Sequence, residues 1–314
     1  MLSWPKNPRI YEIDTMAWLD RLARVHDRDT TLDSVPGSEW NAIAEMGMDA
    51  VWLMGVWRRS PAGRAKALED PVMLAEMRSV SPGFSAEDVL GSPYCIQSYE
   101  VDDRLGGAAA LAQARKELAK RGLLLVLDFV PNHTAMDHPW VRLHPEYYVL
   151  GTRDDLAENP GLFVELDNGI FALGKDPYFP AWTDVLQLNA FGKDLRRALA
   201  STLEEISGMC DGIRCDMAML VMNDVFERTW GEHAGEPPQE EFWQEILPAA
   251  RKRRPDALLM AEAYWDLEWS LMQQGFDCCY DKRLYERLTR GNAHAVRLHL
   301  AAEVSFQERL VRFL

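Results

Sequence analysis

Three apolar runs, each finishing in charge, restrict this chain more than any other feature. They are Leu123-Leu124-Leu125-Val126-Leu127-Asp128-Phe129-Val130, Asp211-Gly212-Ile213-Arg214-Cys215-Asp216 and Ala257-Leu258-Leu259-Met260-Ala261-Glu262. Near-continuous apolar runs of this length read as parallel strands covered on both faces. Amphipathic helix patterns precede them at 108–121, 192–207 and 242–254, with an earlier one at 39–48 and a short one at 70–78. Residues 9–14, 49–54 and 275–280 read as further strands, 281–308 as helices, and 310–314 as the start of a seventh strand. Strands alternating with helices predict a parallel sheet. Asp128, Asp216 and Glu262 all fall at the C-terminal ends of their strands, where a barrel assembles its chemistry. An open doubly wound sheet also binds ligands there, but it normally carries a glycine-rich loop after its first strand, and Asp14-Thr15-Met16-Ala17 is not one. The pattern predicts an α/β fold, a (β/α)8 TIM-type barrel incomplete at its C-terminus. Residues 1–133 and 190–314 would form the barrel. Residues 134–189, rich in Pro, Gly, Asp and aromatics, would form an inserted loop-rich subdomain after strand three.

Composition narrows the partners. A net charge of −15 argues against nucleic acid and anionic membranes and suits a neutral ligand. Eleven tryptophans supply faces that stack on flat apolar ligands such as sugar rings. The five cysteines show no CxxC spacing, so neither a zinc site nor a disulfide framework is expected, and reduced thiols point to the cytoplasm. No signal peptide is visible in Met1-Leu2-Ser3-Trp4-Pro5-Lys6, and no apolar run approaches the roughly 20 residues a membrane span requires.

The strand-end charges suggest a reaction. Arg214 and Asp216 lie two apart and share a face of their strand, so the arginine is expected to hold Asp216 ionised and lower its pKa. Glu262, between Ala261 and Tyr264-Trp265, is expected to be desolvated and protonated. Two carboxyl groups in opposite protonation states on adjacent strands are the machinery of glycoside hydrolysis.

Asp128-Phe129-Val130-Pro131-Asn132-His133, Gly212-Ile213-Arg214-Cys215-Asp216 and Ala261-Glu262 resemble, in order and spacing, three signature regions of the α-amylase family of glycoside hydrolases. Gly91-Ser92-Pro93-Tyr94-Cys95 with Leu105-Gly106-Gly107, and Val185-Leu186-Gln187-Leu188-Asn189, resemble two more of its landmarks. The resemblance implies retaining double displacement on α-glucosidic bonds, with hydrolysis, or transglycosylation, of an α-glucan or α-glucoside. It matches Asp216 to the nucleophile, Glu262 to the general acid/base and Arg214 to the arginine that orients the nucleophile. It matches His133 and Tyr94 to groups that hold the sugar, and Asp128 to a support for Arg214. A non-catalytic glucan- or partner-binding relative is the rival reading, and the retention of both carboxylates speaks against it.

Three departures stand out. Met219-Leu220 replaces the Lys-His that amylases proper often carry, which weakens starch-type binding past the cleaved bond. Many members bind calcium through Asn132 and an aspartate where this chain has Gln187, so calcium is not favoured and no cofactor is expected. Finally, the family's fourth signature, Asn-His-Asp after strand seven, has no counterpart before Leu314. The sequence therefore reads as a truncated form of a longer enzyme, expected to be nearly inactive and prone to aggregate. If it is active, Asp277 and Asp281 are the first candidates for the third carboxylate.

Overall fold

The computed structural model describes residues 3–81 and 83–312. Among them, seven parallel strands follow one another in sequence order across one sheet: β1 (Ile10–Asp14), β2 (Ala50–Met54), β3 (Leu124–Phe129), β4 (Gly212–Cys215), β5 (Leu258–Ala261), β6 (Cys278–Tyr280) and β7 (Leu310–Val311). Neighbours in the sheet are neighbours in the chain, as short crossovers through outer helices require.

The sheet is curled. Trp52 on β2 and Tyr280 on β6 bring their ring centroids within 6.4 Å, although three strands separate them. At about 4.8 Å per strand, a flat sheet would hold them about 19 Å apart. Period-two alternation then sorts the strand residues into two cores. Trp52, Val126, Met260 and Tyr280 face inward and pack as one cluster with Trp4. Val51, Leu125, Ile213 and Leu259 face outward and join the larger core beneath the helices. Among the described residues β1 and β7 remain the two edges of the sheet, so the barrel is incomplete. Residues 313 and 314 of the predicted seventh strand lie outside the described residues.

Helix Lys193–Met209 buries Leu195, Leu199, Leu203 and Ile206, a stripe at helical spacing, alongside helix Phe242–Arg253, which buries Trp243 and Ile246. Helix Thr15–His26, unmarked in the sequence reading, starts where Asp14 accepts a hydrogen bond from the Ala17 N–H at 3.2 Å. The sixth strand is shorter than predicted, because Gly275 at φ +117° turns the chain just before it. The stretch between β2 and β3 is also more ordered than its Pro and Gly content suggests. Trp57–Arg59 pairs antiparallel with Ile96–Val101 and encloses helices Pro61–Leu68 and Pro71–Val80. Both helices begin with Pro at N1 behind a side-chain cap, Ser60 and Asp70 respectively. The excursion after β3 leaves and returns through one antiparallel pair, His133–Ala135 with Val185–Gln187, and carries a hairpin, Phe163–Leu166 with Gly169–Ala172.

Candidate active site

Strand register builds the site. Arg214 on β4 lies level with Asp128 on β3 and Met260 on β5, so all three side chains enter the barrel in one layer. Asp216 and Glu262 follow one layer higher, just past the ends of β4 and β5. At that height the Arg214 guanidinium reaches all three carboxylates. Nη1 lies 2.7 Å from Asp216 and 3.3 Å from Asp128, and Nη2 lies 2.7 Å from Glu262. Nε donates to the Tyr280 hydroxyl at 3.0 Å, and the rings of Trp52 and Tyr94 lie 5.0 Å from the guanidinium carbon. These four side chains, Arg214 and its three carboxylate partners, are all buried.

Burial decides the electrostatics. Desolvation pushes the Asp216 carboxyl above its ordinary range, and the attraction of Arg214 does not bring it back. This corrects the expectation of a lowered value. The arginine's pull is real, but one cation is divided among three buried acids. Asp128 is pushed up to about 6 for the same reason, against the pull of Arg214 and the Gly55 N–H. Glu262 is raised by desolvation too, as expected, but its surroundings are more polar than predicted. Besides Arg214, it accepts from the Met217 N–H and the Tyr264 hydroxyl, each at 2.7 Å. For Arg214 itself, burial opposes the charge, and Tyr280 with the three carboxylates outweighs it. One cation cannot neutralise three buried carboxylates, so this arrangement favours holding at least one proton on the set.

Above the cluster opens a cleft of about 460 Å³. Tyr94 and His133, matched to sugar-holding groups in the sequence, both line it. Burial lowers the His133 pKa to about 4, which leaves the imidazole neutral, and its ring packs edge-on to Trp182 at 5.3 Å. Asp128 stays below the cleft floor as a partner of Arg214. Asp277 and Asp281 do not enter the cleft. Asp277 pairs with Arg251 and the Leu259 N–H at the opposite end of the strands, whereas Asp281 pairs with His299 and Arg312. The further carboxylates that line the cleft are Glu12 and Asp184, which the sequence reading passed over. Glu12 carried a signal: it is the charged residue in the middle of β1, on the face opposite the buried Ile13. Met219 and Leu220 are buried in the core and contribute nothing to the cleft.

The calcium position does not fit a dication. Gln187 is fully buried and donates through Nε2 to Asn132 Oδ1 at 3.0 Å and to the Asn132 carbonyl at 2.9 Å. Two neutral amides that satisfy each other offer no anionic oxygen to a hard cation. Among the described residues no group of three or more His, Cys, Asp or Glu is arranged to hold a metal. All five cysteines are buried and unpaired.

Residues 38–157 match the family described as alpha amylase, catalytic domain. Over 98% of its length the chain is 23% identical to the alpha-amylase MalA of Haloarcula japonica, covering 38% of that protein. It is 20% identical, again over 98% of its length, to alpha-amylase 3 of Dictyoglomus thermophilum, covering 54%. The crystal structure of an alpha-amylase from Lactobacillus plantarum shares its fold at a TM-score of 0.62 and 21% identity, over 98% of this chain and 62% of that one. The chain thus spans 38% and 54% of the lengths of these two curated relatives. With a parallel barrel, a segment that matches the alpha-amylase catalytic domain and relatives that align along nearly all of it, this chain is similar to the α-amylases over both sequence and fold.

Proposed function

We propose that the chain provides the acid and nucleophile strands of an enzyme that cleaves α-glucosidic bonds with retention of configuration. The observation that carries this reading is the single guanidinium of Arg214, which holds Asp216 through Nη1 and Glu262 through Nη2 at the mouth of one cleft. In the first step Glu262 gives its proton to the leaving glycosidic oxygen while Asp216 attacks the anomeric carbon and forms a glycosyl ester. In the second, water attacks that carbon, Glu262 takes the water's proton, and the Asp216 carboxylate leaves. The raised pKa of Glu262 supports the acid role. Arg214 donates to Asp216 at 2.7 Å, and this reading puts the proton held by the cluster on Glu262, which leaves Asp216 ionised for attack. Neutral His133 and the Tyr94 hydroxyl are placed to hydrogen-bond the sugar. Calcium takes no part in this reading.

The substrate is a neutral α-glucan or α-glucoside, in keeping with the net charge of −15. No helix among the described residues is long and apolar enough to cross a membrane. The five unpaired cysteines fit the reducing cytoplasm, where we place the protein. The test is proton NMR of maltooligosaccharide digestion, reading the anomer first released. Asp216→Asn and Glu262→Gln should each abolish any turnover the wild-type chain shows while the thermal unfolding transition persists. Initial release of the inverted anomer, or turnover that survives both substitutions, overturns the proposal.

A further inference from the structure

The partners of the Glu262 carboxylate decide where its proton can sit. Oε2 lies 2.7 Å from Arg214 Nη2 and accepts the Met217 N–H, also at 2.7 Å. A guanidinium and a backbone N–H donate and cannot accept, so a proton placed on Oε2 would face two others. Oε1 has a different neighbour, the Tyr264 hydroxyl at 2.7 Å. A phenol both donates and accepts, so it tolerates either state of that oxygen. The proton that the acid step needs therefore belongs on Oε1. Besides Arg214 and Tyr264, the ionisable groups that face Glu262 are Asp216 beyond β4, Asp128 on β3, Tyr280 on β6 and Glu12 on β1. All four are acids. A hydrogen bond from Glu262 is among the influences that lower the Asp216 pKa, which agrees with a proton held on Glu262.

The backbone is strained where it places that hydroxyl. Trp265 and Asp266 follow Tyr264 at φ +59° and +67°, and the Leu267 N–H closes the turn on the Tyr264 carbonyl at 3.2 Å. Turns with two such residues in a row favour Gly, Asn and Asp, and for a tryptophan a positive φ is an outlier. Strain of this kind persists only where the surroundings impose it. Here Trp265 packs edge-on against Tyr178 at 4.8 Å, and Asp266 pairs with Arg283. A turn clamped from two sides, two residues after the acid, keeps Tyr264 on Oε1.

We propose that Tyr264 is the positioning residue of the acid: its hydroxyl fixes the transferred proton on Oε1 of Glu262 and sets how readily that proton leaves. The inference rests on the retaining reading above, in which Glu262 is the acid. It is tested on the 314-residue chain by carbon-13 NMR of its glutamate carboxyls, titrated with pH. The Glu262 signal is identified by its loss in Glu262→Gln. In wild type that carboxyl should titrate above an ordinary glutamate. Tyr264→Phe keeps the ring and removes a donor to the ionised form. The midpoint should then rise by about one to two pH units, the value of one hydrogen bond to a charged group. Replacing Tyr264 by 3-fluorotyrosine, nearly the same in shape and a stronger donor, should move the midpoint down. Packing alone gives no such opposite pair of shifts. In Tyr264→Phe, any turnover the wild-type chain shows should fall in kcat more than it changes in KM, and the alkaline limb of its pH profile should rise with the carboxyl midpoint. A Tyr264→Phe midpoint at or below that of wild type, or a 3-fluorotyrosine midpoint that does not fall, overturns the role of Tyr264 and leaves the acid role of Glu262 standing. A wild-type midpoint at or below that of an ordinary glutamate sinks the acid role of Glu262, and the proposal with it.

Discussion

The Nε–H of Arg214 on β4 donates to the hydroxyl of Tyr280 on β6 over 3.0 Å, across the inside of the barrel. Both terminal nitrogens are taken by carboxylates, so Tyr280 fixes the remaining corner of the guanidinium plane. A side chain held at three corners cannot rotate, and Asp216 and Glu262 keep their spacing because the arginine between them is immobile. Tyr280→Phe preserves the ring against Trp52 and deletes only the hydroxyl. Turnover should fall about tenfold with little change in KM, and stability should drop by about 1–3 kcal/mol. Steady-state kinetics and urea unfolding check both numbers. Unchanged kinetics in a destabilised protein would limit Tyr280 to a packing role.

The pH dependence of stability follows from the same shared cation. Asp128 has a folded pKa of about 6 against an ordinary 3.8, so between those values the folded state binds a proton that the unfolded chain has released. The contribution is full below the unfolded pKa and is lost as pH rises through about 6. A shift of this size corresponds to at most roughly 3 kcal/mol. Asp216 and Glu262, also raised, tilt the curve the same way. Asp128→Asn should therefore flatten the fall in unfolding free energy between pH 4 and pH 6.5. If wild type instead grows more stable with pH over that range relative to the variant, the carboxylates are ionised more readily than their burial indicates.

Much of this site was legible because strand register is simple. Asp128, Arg214, Asp216 and Glu262 sit at fixed heights on three adjacent strands, and period-two alternation already aims them inward. Glu12 lies on a strand of the same kind, but its run is short and mostly polar, so the inward charge did not stand out. The packing of Arg59 against Gly55 could not be found this way at all. Among the described residues the arginine's one side-chain hydrogen bond goes to the Gly91 carbonyl, about thirty residues on in the chain, and such a distance leaves no periodic trace. The direction of the Asp216 pKa was also out of reach. It depends on how many acids share one arginine, and that number appears only when three strands are brought side by side.

Asn132 and Gln187 give a test that runs in the opposite sense. In the fully buried Gln187 the amide nitrogen makes hydrogen bonds to Asn132 Oδ1 and to the carbonyls of Asn132 and Leu188. Gln187→Asp would replace that donor with an anionic oxygen facing two carbonyls, at a cost of several kcal/mol unless a cation fills the gap. Wild type should show the same melting temperature in EGTA and in millimolar calcium chloride. The variant should melt well below wild type in EGTA and recover in part with calcium. Loss of wild-type stability in EGTA would show that the chain holds calcium through other groups.

The last test separates backbone strain from packing at the support of the site. Gly55 follows β2 at φ +74°, and its N–H donates to Asp128 Oδ2 at 3.2 Å. A Cβ there would lie 2.7 Å from the Pro93 Cβ and 3.0 Å from Arg59 Nη2. Gly122 has nearly the same backbone, φ +76°, with nothing within 4 Å of its would-be Cβ. Gly122→Ala should cost only the left-handed penalty, about 1 kcal/mol. Gly55→Ala should cost about 2–4 kcal/mol, because a proline ring cannot yield and the added strain is that of an overpacked site. It should also lower turnover, since a shift of the Gly55 N–H removes a partner from Asp128 and loosens the carboxylate that steadies Arg214 from below. Equal losses of unfolding free energy in the two variants would show that the clash relaxes freely, and that nothing in the approach of Pro93 and Arg59 to Gly55 holds the floor of the cleft in place.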